Sequence, residues 1–217
     1  MRDLEIYIRT FTGRLYHANK LKENCIKFIS PNVKIINTKS AESTYNEKFI
    51  FGMHNALISS NYQYVLVLED DMVFSEQAKE SLQAAIKKEL PLLWYSIPSK
   101  RVIEHSKKIS TDIYILPSFY GLHYSGAILI KRDILKCYIS HYLAEHLTYK
   151  CRNYDVTFSY FIRETLGSLF LQPGIFASNP QVESAVSNTK VSDHHRIEDH
   201  SQIDPYFDFE KVLNDWY

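Results

Sequence analysis

Three carboxylates in a row, Glu69, Asp70 and Asp71, follow directly on the apolar run Tyr64-Val-Leu-Val-Leu68. Adjacent carboxylates repel one another, and their charged forms are costly to hold near an apolar interior without a counter-charge. Such a cluster at the end of a buried strand calls for a cation. An oxygen-rich ligand set suits a hard divalent ion, Mg²⁺ or Mn²⁺. The plainer structural alternative is that the acids cap the next helix or pair with lysines, as loop acids often do. Their place right after an apolar strand favours the cation. His17, His105, His141 and His146, scattered along the chain, read as surface histidines.

The elements that must position this cluster can be laid out from periodicity. Leu4 to Thr10 alternates apolar and polar residues and predicts a strand, closed by Thr12-Gly13. Leu15 to Phe28 repeats apolar residues mostly at helical spacing until Pro31. Val33 to Ile36 predicts a second strand, and Thr44-Tyr-Asn-Glu47 is a capping-box pattern opening a helix over about residues 45–59. Tyr64 to Leu68 is apolar on both faces, as a central parallel strand covered by helices must be. Ser75 is then a candidate N-cap for a helix with Ala78, Leu82, Ala85 and Ile86 along one stripe. Three strand-then-helix units predict an α/β, Rossmann-like, mostly parallel sheet flanked by helices. Beyond them, 92–95, 113–116 and 127–130 predict strands, 133–149 and 155–164 predict helices, and 172–180 predicts a loop. No repeat or boundary divides the chain, which reads as one domain over 1–217, less regular beyond about residue 100.

Composition bounds the function. With 217 residues, 25 Lys plus Arg and 25 Asp plus Glu, the chain lacks the basic excess of a dedicated nucleic-acid binder. Its charged start and short apolar runs predict neither a signal peptide nor a membrane span. Cys25, Cys137 and Cys151 are an odd set at spacings that fit no disulfide framework or metal knuckle, so reduced thiols and a cytoplasmic setting are expected. Sixteen Tyr and 12 Phe read first as an aromatic core and second as the walls of a cleft that stacks on a base or a sugar.

The stretch Tyr64-Val-Leu-Val-Leu-Glu-Asp-Asp-Met-Val-Phe74 resembles the acidic DXD element of glycosyltransferases of the GT-A fold, in its Glu-Asp-Asp form. The resemblance implies a donor that is a nucleotide-diphosphate sugar, with Asp71 holding the cation that bridges its phosphates, Glu69 on the ribose side, and Asp70 on the other face of an extended segment, orienting the sugar. Arg9-Thr-Phe-Thr-Gly-Arg14 is similar to the first, nucleotide-binding loop of that fold, which implies a binding role for Thr10 and a phosphate pairing for Arg14. Tyr124-Ser-Gly-Ala-Ile-Leu-Ile130 is similar to the small-residue strand that lies against donor and acceptor. Asn153-Tyr-Asp155 resembles the later acidic motif whose carboxylate activates the acceptor hydroxyl in inverting members; the plain alternative for Asp155 is stabilisation of its helix by the dipole. Asp193-His194-His195 and His200 lie where such enzymes bring a histidine back to the cation, which implies His194 or His195 as a further ligand of Mn²⁺ or Mg²⁺.

The expected activity is transfer of a sugar, from a UDP-linked donor, to a hydroxyl of a glycan or other small acceptor. Two alternatives use the same surroundings. A nucleotidyltransferase acting on sugar phosphates also holds a metal on acids of an α/β sheet, but its glycine-rich first loop is poorly matched by Thr10 to Arg14. A non-catalytic carbohydrate-binding module would keep the fold without turnover. A phosphatase with a nucleophilic Asp on the first strand is disfavoured, since Leu4 to Thr10 offers only Glu5.

Overall fold

The computed structural model describes residues 1–38, 53–56, 59–95, 103–110, 112–116, 126–148 and 154–179, with 182 and 212. Leu4–Phe11 forms β1, and alternation along it sends Leu4, Ile6 and Ile8 to one core and Tyr7 to the other. The strands β2 (Val33–Thr38) and β3 (Tyr64–Glu69) flank β1 in parallel. β3 is covered on both faces: Tyr64 to Leu68 are at most 1 % exposed. Burying each of its apolar side chains contributes about 1.5–3 kcal/mol, which makes β3 the firmest base from which to project a loop.

The short β4 (Met72–Phe74) is followed by β5 (Leu92–Trp94), β6 (Lys107–Lys108), β7 (Tyr114–Ile115), β8 (Ala127–Lys131), β9 (Phe170–Leu171) and β10 (Phe176–Ser178). Eight of the ten strands among the described residues form one sheet in the order β2-β1-β3-β8-β5-β9-β7-β6. Strands β2, β1, β3, β5, β9 and β6 run one way, while β8 and β7 run the other. The expected α/β class and mostly parallel sheet are thus present, with β8 inserted antiparallel beside β3. The sheet draws strands from both halves of the chain. No helix among the described residues is long and apolar enough to cross a membrane.

Helices cover both faces. On one, α1 (Leu15–Phe28) buries Ala18, Leu21 and Cys25, and α2 (Ala78–Lys87) buries Ala78, Leu82 and Ala85, against the even-numbered residues of β1 and β3. On the other, α3 (Arg132–Thr148) and α4 (Tyr154–Leu166) pack on Val65 and Val67 of β3. There Tyr138 meets Phe158 edge-on with ring centroids 4.6 Å apart, an arrangement that adds to simple burial.

Two local expectations change. Residues 176–178, read as loop between Pro173-Gly174 and Pro180, form β10, because β4 supplies an antiparallel partner about 100 residues away. Ser75 does not cap α2: the helix begins after Gln77 with no side-chain cap, and the Ser75 amide instead donates to the Ile175 carbonyl at 2.9 Å. The capping box at 44–47 lies outside the described residues, as does most of its helix; 53–56 are helical.

Candidate functional site

Parallel pairing of β1 with β3 sets Arg9 opposite Glu69, so the residues that follow, Thr10 and Asp70, come side by side at the carboxyl edge of the sheet. Ligands of open α/β sheets bind outside this edge. The chain turns at Asp70 and Asp71 and leaves as β4. β10 pairs with β4, and the Asn179 amide donates to the Asp71 carbonyl at 2.7 Å. The acidic turn is thereby pinned through its backbone. The Phe176 ring, 4.9 Å from Tyr95 and 5.7 Å from Phe74, ties the β4–β10 ribbon to the chain just beyond β5.

The three acids do not act as one cluster. Glu69 continues the alternation of Val65 and Val67, and its Oε1 accepts from Arg9 Nη2 at 2.8 Å. Asp70 and Asp71 turn the other way, toward α1. The Thr10 hydroxyl donates to Asp70 Oδ2 at 2.6 Å, and Arg14, at the end of the 3₁₀ turn Thr12–Arg14, brings its Nη2 to 3.0 Å from Asp70 Oδ1 and 3.4 Å from Asp71 Oδ2. The expectation that Asp70 faces away from Asp71 is therefore corrected: both reach one guanidinium nitrogen, and Glu69 is the residue set apart. The physical reason is that 70 and 71 form a turn, where the two-residue alternation of an extended strand no longer holds.

Burial dominates the electrostatics of the turn. It pushes the Asp70 carboxyl up to about 6, against the opposing pull of Arg14 and Thr10. Asp71 is also pushed up, by burial first and then by its Glu69 neighbour, with Arg14 opposing. The polar groups remain incompletely matched. Asp71 Oδ1 is cut off from solvent and accepts no hydrogen bond, and the buried Arg14 Nε and Nη2 donate none. A small cavity of about 10 Å³ lies beside the two aspartates, lined by Asp70, Asp71, His17, Lys20 and Asn179 among others, room for about one water-sized occupant.

An unmatched carboxylate oxygen is a fitting ligand for a hard cation, and an unmatched guanidinium edge is a fitting partner for an anionic oxygen. The residues present thus suit a divalent ion carrying a phosphate-bearing ligand. Among the described residues no three His, Cys, Asp or Glu side chains converge on one point; Asp70 and Asp71 are brought together by the guanidinium they share. Asp155 lies in the first turn of α4. His194, His195 and His200, with Tyr124 and Asn153, lie outside the described residues.

Sequence reasoning missed Arg9, His17, Lys20 and Asn179. His17, expected on the surface, is half-buried and lines the cavity; burial and the nearby Arg14 hold its imidazole below the ordinary value. Its signal was available, because His17 falls one turn after Arg14 on the face of α1 that buries Leu21. Asn179 carried no signal, since its place follows from a strand pairing across the whole chain.

Residues 51–120, which carry the acidic turn, match the model of Glycosyltransferase family 25, described as an LPS biosynthesis protein. This match supports a transferase. No curated protein matches the chain. Solved structures similar to it include mannose-1-phosphate geranyltransferase from Thermus thermophilus, at 11 % identity and a TM-score of 0.49, covering 81 % of this chain and 75 % of that one. Another is a glycosyltransferase involved in glycosylation of the major capsid of PBCV-1, at 14 % identity and a TM-score of 0.45, with 78 % and 91 % covered. CMP:2-keto-3-deoxy-manno-octonic acid synthetase in complex with CTP is similar at 13 % identity and a TM-score of 0.45, over 79 % and 88 %. Likeness of this degree is silent on reaction and substrate.

Proposed function

We propose that the chain is a metal-dependent glycosyltransferase of GT-A type, one domain throughout, which moves a sugar from a UDP-linked donor to a hydroxyl of a glycan or other small acceptor. The observation that carries this reading is the pair of complementary deficits at the acidic turn. Asp71 Oδ1 accepts no hydrogen bond, and Arg14 Nε and Nη2 donate none. A divalent ion on a diphosphate would meet both, and the family match spans the stretch that holds the turn.

In this reading Asp70 and Asp71 hold Mn²⁺ or Mg²⁺, with His194 or His195 as a further ligand. When bound, the ion supplies Lewis-acid stabilisation of the negative charge that gathers on the departing diphosphate. Arg14 shares that charge through a pre-placed guanidinium. Thr10 fixes the Asp70 carboxylate through its 2.6 Å hydrogen bond, and Glu69, anchored by Arg9, would take the ribose-side role. Asp155 is the base that takes the acceptor proton, which makes the reaction inverting. Free Cys25 and Cys137 support a reducing, cytoplasmic setting.

The test is a panel of nucleotide sugars, and of nucleoside triphosphates with sugar phosphates, scored by thermal stabilisation with Mn²⁺ and with chelator. Stabilisation by UDP-sugars only with the metal is expected, because a ligand that binds the native state alone raises apparent stability. Equal stabilisation in chelator overturns metal dependence, and turnover of a triphosphate with a sugar phosphate turns the reading to nucleotidyl transfer. Asp155→Asn keeps the size of the side chain but cannot accept a proton. Turnover is expected to fall about 10²-fold or more with donor affinity retained; a turnover number near wild type removes Asp155 from the mechanism.

A further inference from the structure

We propose that Arg14 is the resident counter-ion of the acidic turn and exchanges from the Asp70–Asp71 pair to the donor's diphosphate when the divalent cation arrives, so that metal and donor bind cooperatively through this one side chain. The inference rests on the glycosyltransferase reading and adds a coupling to it.

Competition for one place comes first. Arg14 Nη2 stands 3.0 Å from one carboxylate and 3.4 Å from the other, where a cation shared by the two acids would have to sit. A guanidinium and a divalent ion that close repel strongly in a partly desolvated pocket. Metal entry therefore requires Arg14 to move.

The quality of the present contacts says that it can. Arg14 Nη2 approaches both acids yet meets hydrogen-bond geometry with neither, while its Nε, like that of Arg9, has no acceptor. Arg9, in register with Glu69 on the neighbouring strand, shows the contrasting case: its Nη2 makes a 2.8 Å hydrogen bond to Glu69. At Nη2, Arg9 is held by charge and geometry together and Arg14 by charge alone. Only the side chain of Arg14 has to swing, since its backbone is set by the turn that opens α1, and its guanidinium carbon lies 5.8 Å from the Phe11 ring centroid.

The diphosphate completes the exchange. A guanidinium displaced from carboxylates loses charge pairing, and phosphate oxygens restore it with the bidentate hydrogen bonds that are absent here. Metal alone must bear the displacement of Arg14, while metal with donor does not. By linkage, each then strengthens the other by the same factor.

The experiment measures Mn²⁺ affinity by electron paramagnetic resonance of the free ion, at pH 8, for wild type, Arg14→Gln and Arg14→Lys, without nucleotide and with saturating UDP. Without nucleotide, Arg14→Gln is expected to bind Mn²⁺ about tenfold tighter than wild type, since a like charge has left the site. The factor by which UDP tightens Mn²⁺ binding should shrink about tenfold in the same variant, with Arg14→Lys in between because a point charge lacks the planar fork. Affinity for Mn²⁺ alone that is unchanged or weaker in Arg14→Gln overturns the exchange while leaving the metal site standing. Absence of saturable Mn²⁺ binding in wild type, with or without UDP, overturns the glycosyltransferase reading itself. If Arg14→Gln loses its native circular dichroism, Arg14→Lys decides alone: a smaller factor of Mn²⁺ tightening by UDP supports the exchange and an unchanged factor ends it.

Discussion

The two ends of β1 each bring carboxylates into the interior and treat them in opposite ways. At the amino end, Glu5 is 4 % exposed, accepts from the Tyr7 hydroxyl at 2.7 Å and pairs with Lys34 Nζ at 2.7 Å. Burial works against its ionisation, but the hydrogen bonds from Lys34, Tyr7 and Ser60 outweigh it, and its pKa lies below the usual 4.5. At the carboxyl edge Asp70 and Asp71 are pushed the other way by burial that Arg14 does not offset. A buried acid with its hydrogen bonds complete belongs to the framework. One left short of partners marks a place where something else is meant to bind.

That contrast can be broken by mutation at either end. The largest effect expected is at the turn. With donor at about 100 times its Kd, binding adds about 2.7 kcal/mol of apparent stability, and Asp71→Ala should remove all of that metal-dependent gain. The same variant in chelator should melt no lower than wild type, because it deletes an undersatisfied acid. Donor stabilisation that survives would put the metal elsewhere. At the other end, Glu5→Gln should destabilise the protein by about 2 kcal/mol in urea unfolding, since it leaves a buried network short of its charge, and should leave donor binding unchanged. A neutral result would mean that Lys34, half exposed to water, contributes little.

The smallest effect is the most diagnostic, because the two ends should respond to pH with opposite sign. Glu5 has a lowered folded pKa, so its contribution is present above about 4.5 and lost as pH falls below that. The stability difference between wild type and Glu5→Gln should therefore narrow in acid. Asp70 has a folded pKa raised from 3.8 to about 6. Between those values the unfolded chain binds fewer protons than the folded one, so the contribution of Asp70 falls as pH rises through that window. Asp70→Asn, measured in chelator, should gain on wild type from pH 4 to pH 6. Parallel pH profiles for the two variants would erase the distinction between the ends.

The same division separates what was legible in the sequence from what was not. Predicted elements over 15–28, 64–68 and 127–130 appear at those places as α1, β3 and β8, because the apolar period of each is a property of neighbours along the chain. The carboxylates were legible too, since a polar triplet ending a doubly buried strand is conspicuous whatever packs around it. Their arrangement was not. That Glu69 answers to Arg9 while Asp70 and Asp71 share Arg14 depends on the register of β1 against β3, two strands joined across 60 positions. That the turn is pinned by Asn179 depends on a β10 whose short, proline-flanked sequence carries little strand preference of its own and is held by β4. Local chemistry determined which residues could bind a charged ligand, and long-range pairing alone decided which of them meet, because hydrogen bonds between distant strands leave no period in the sequence that forms them.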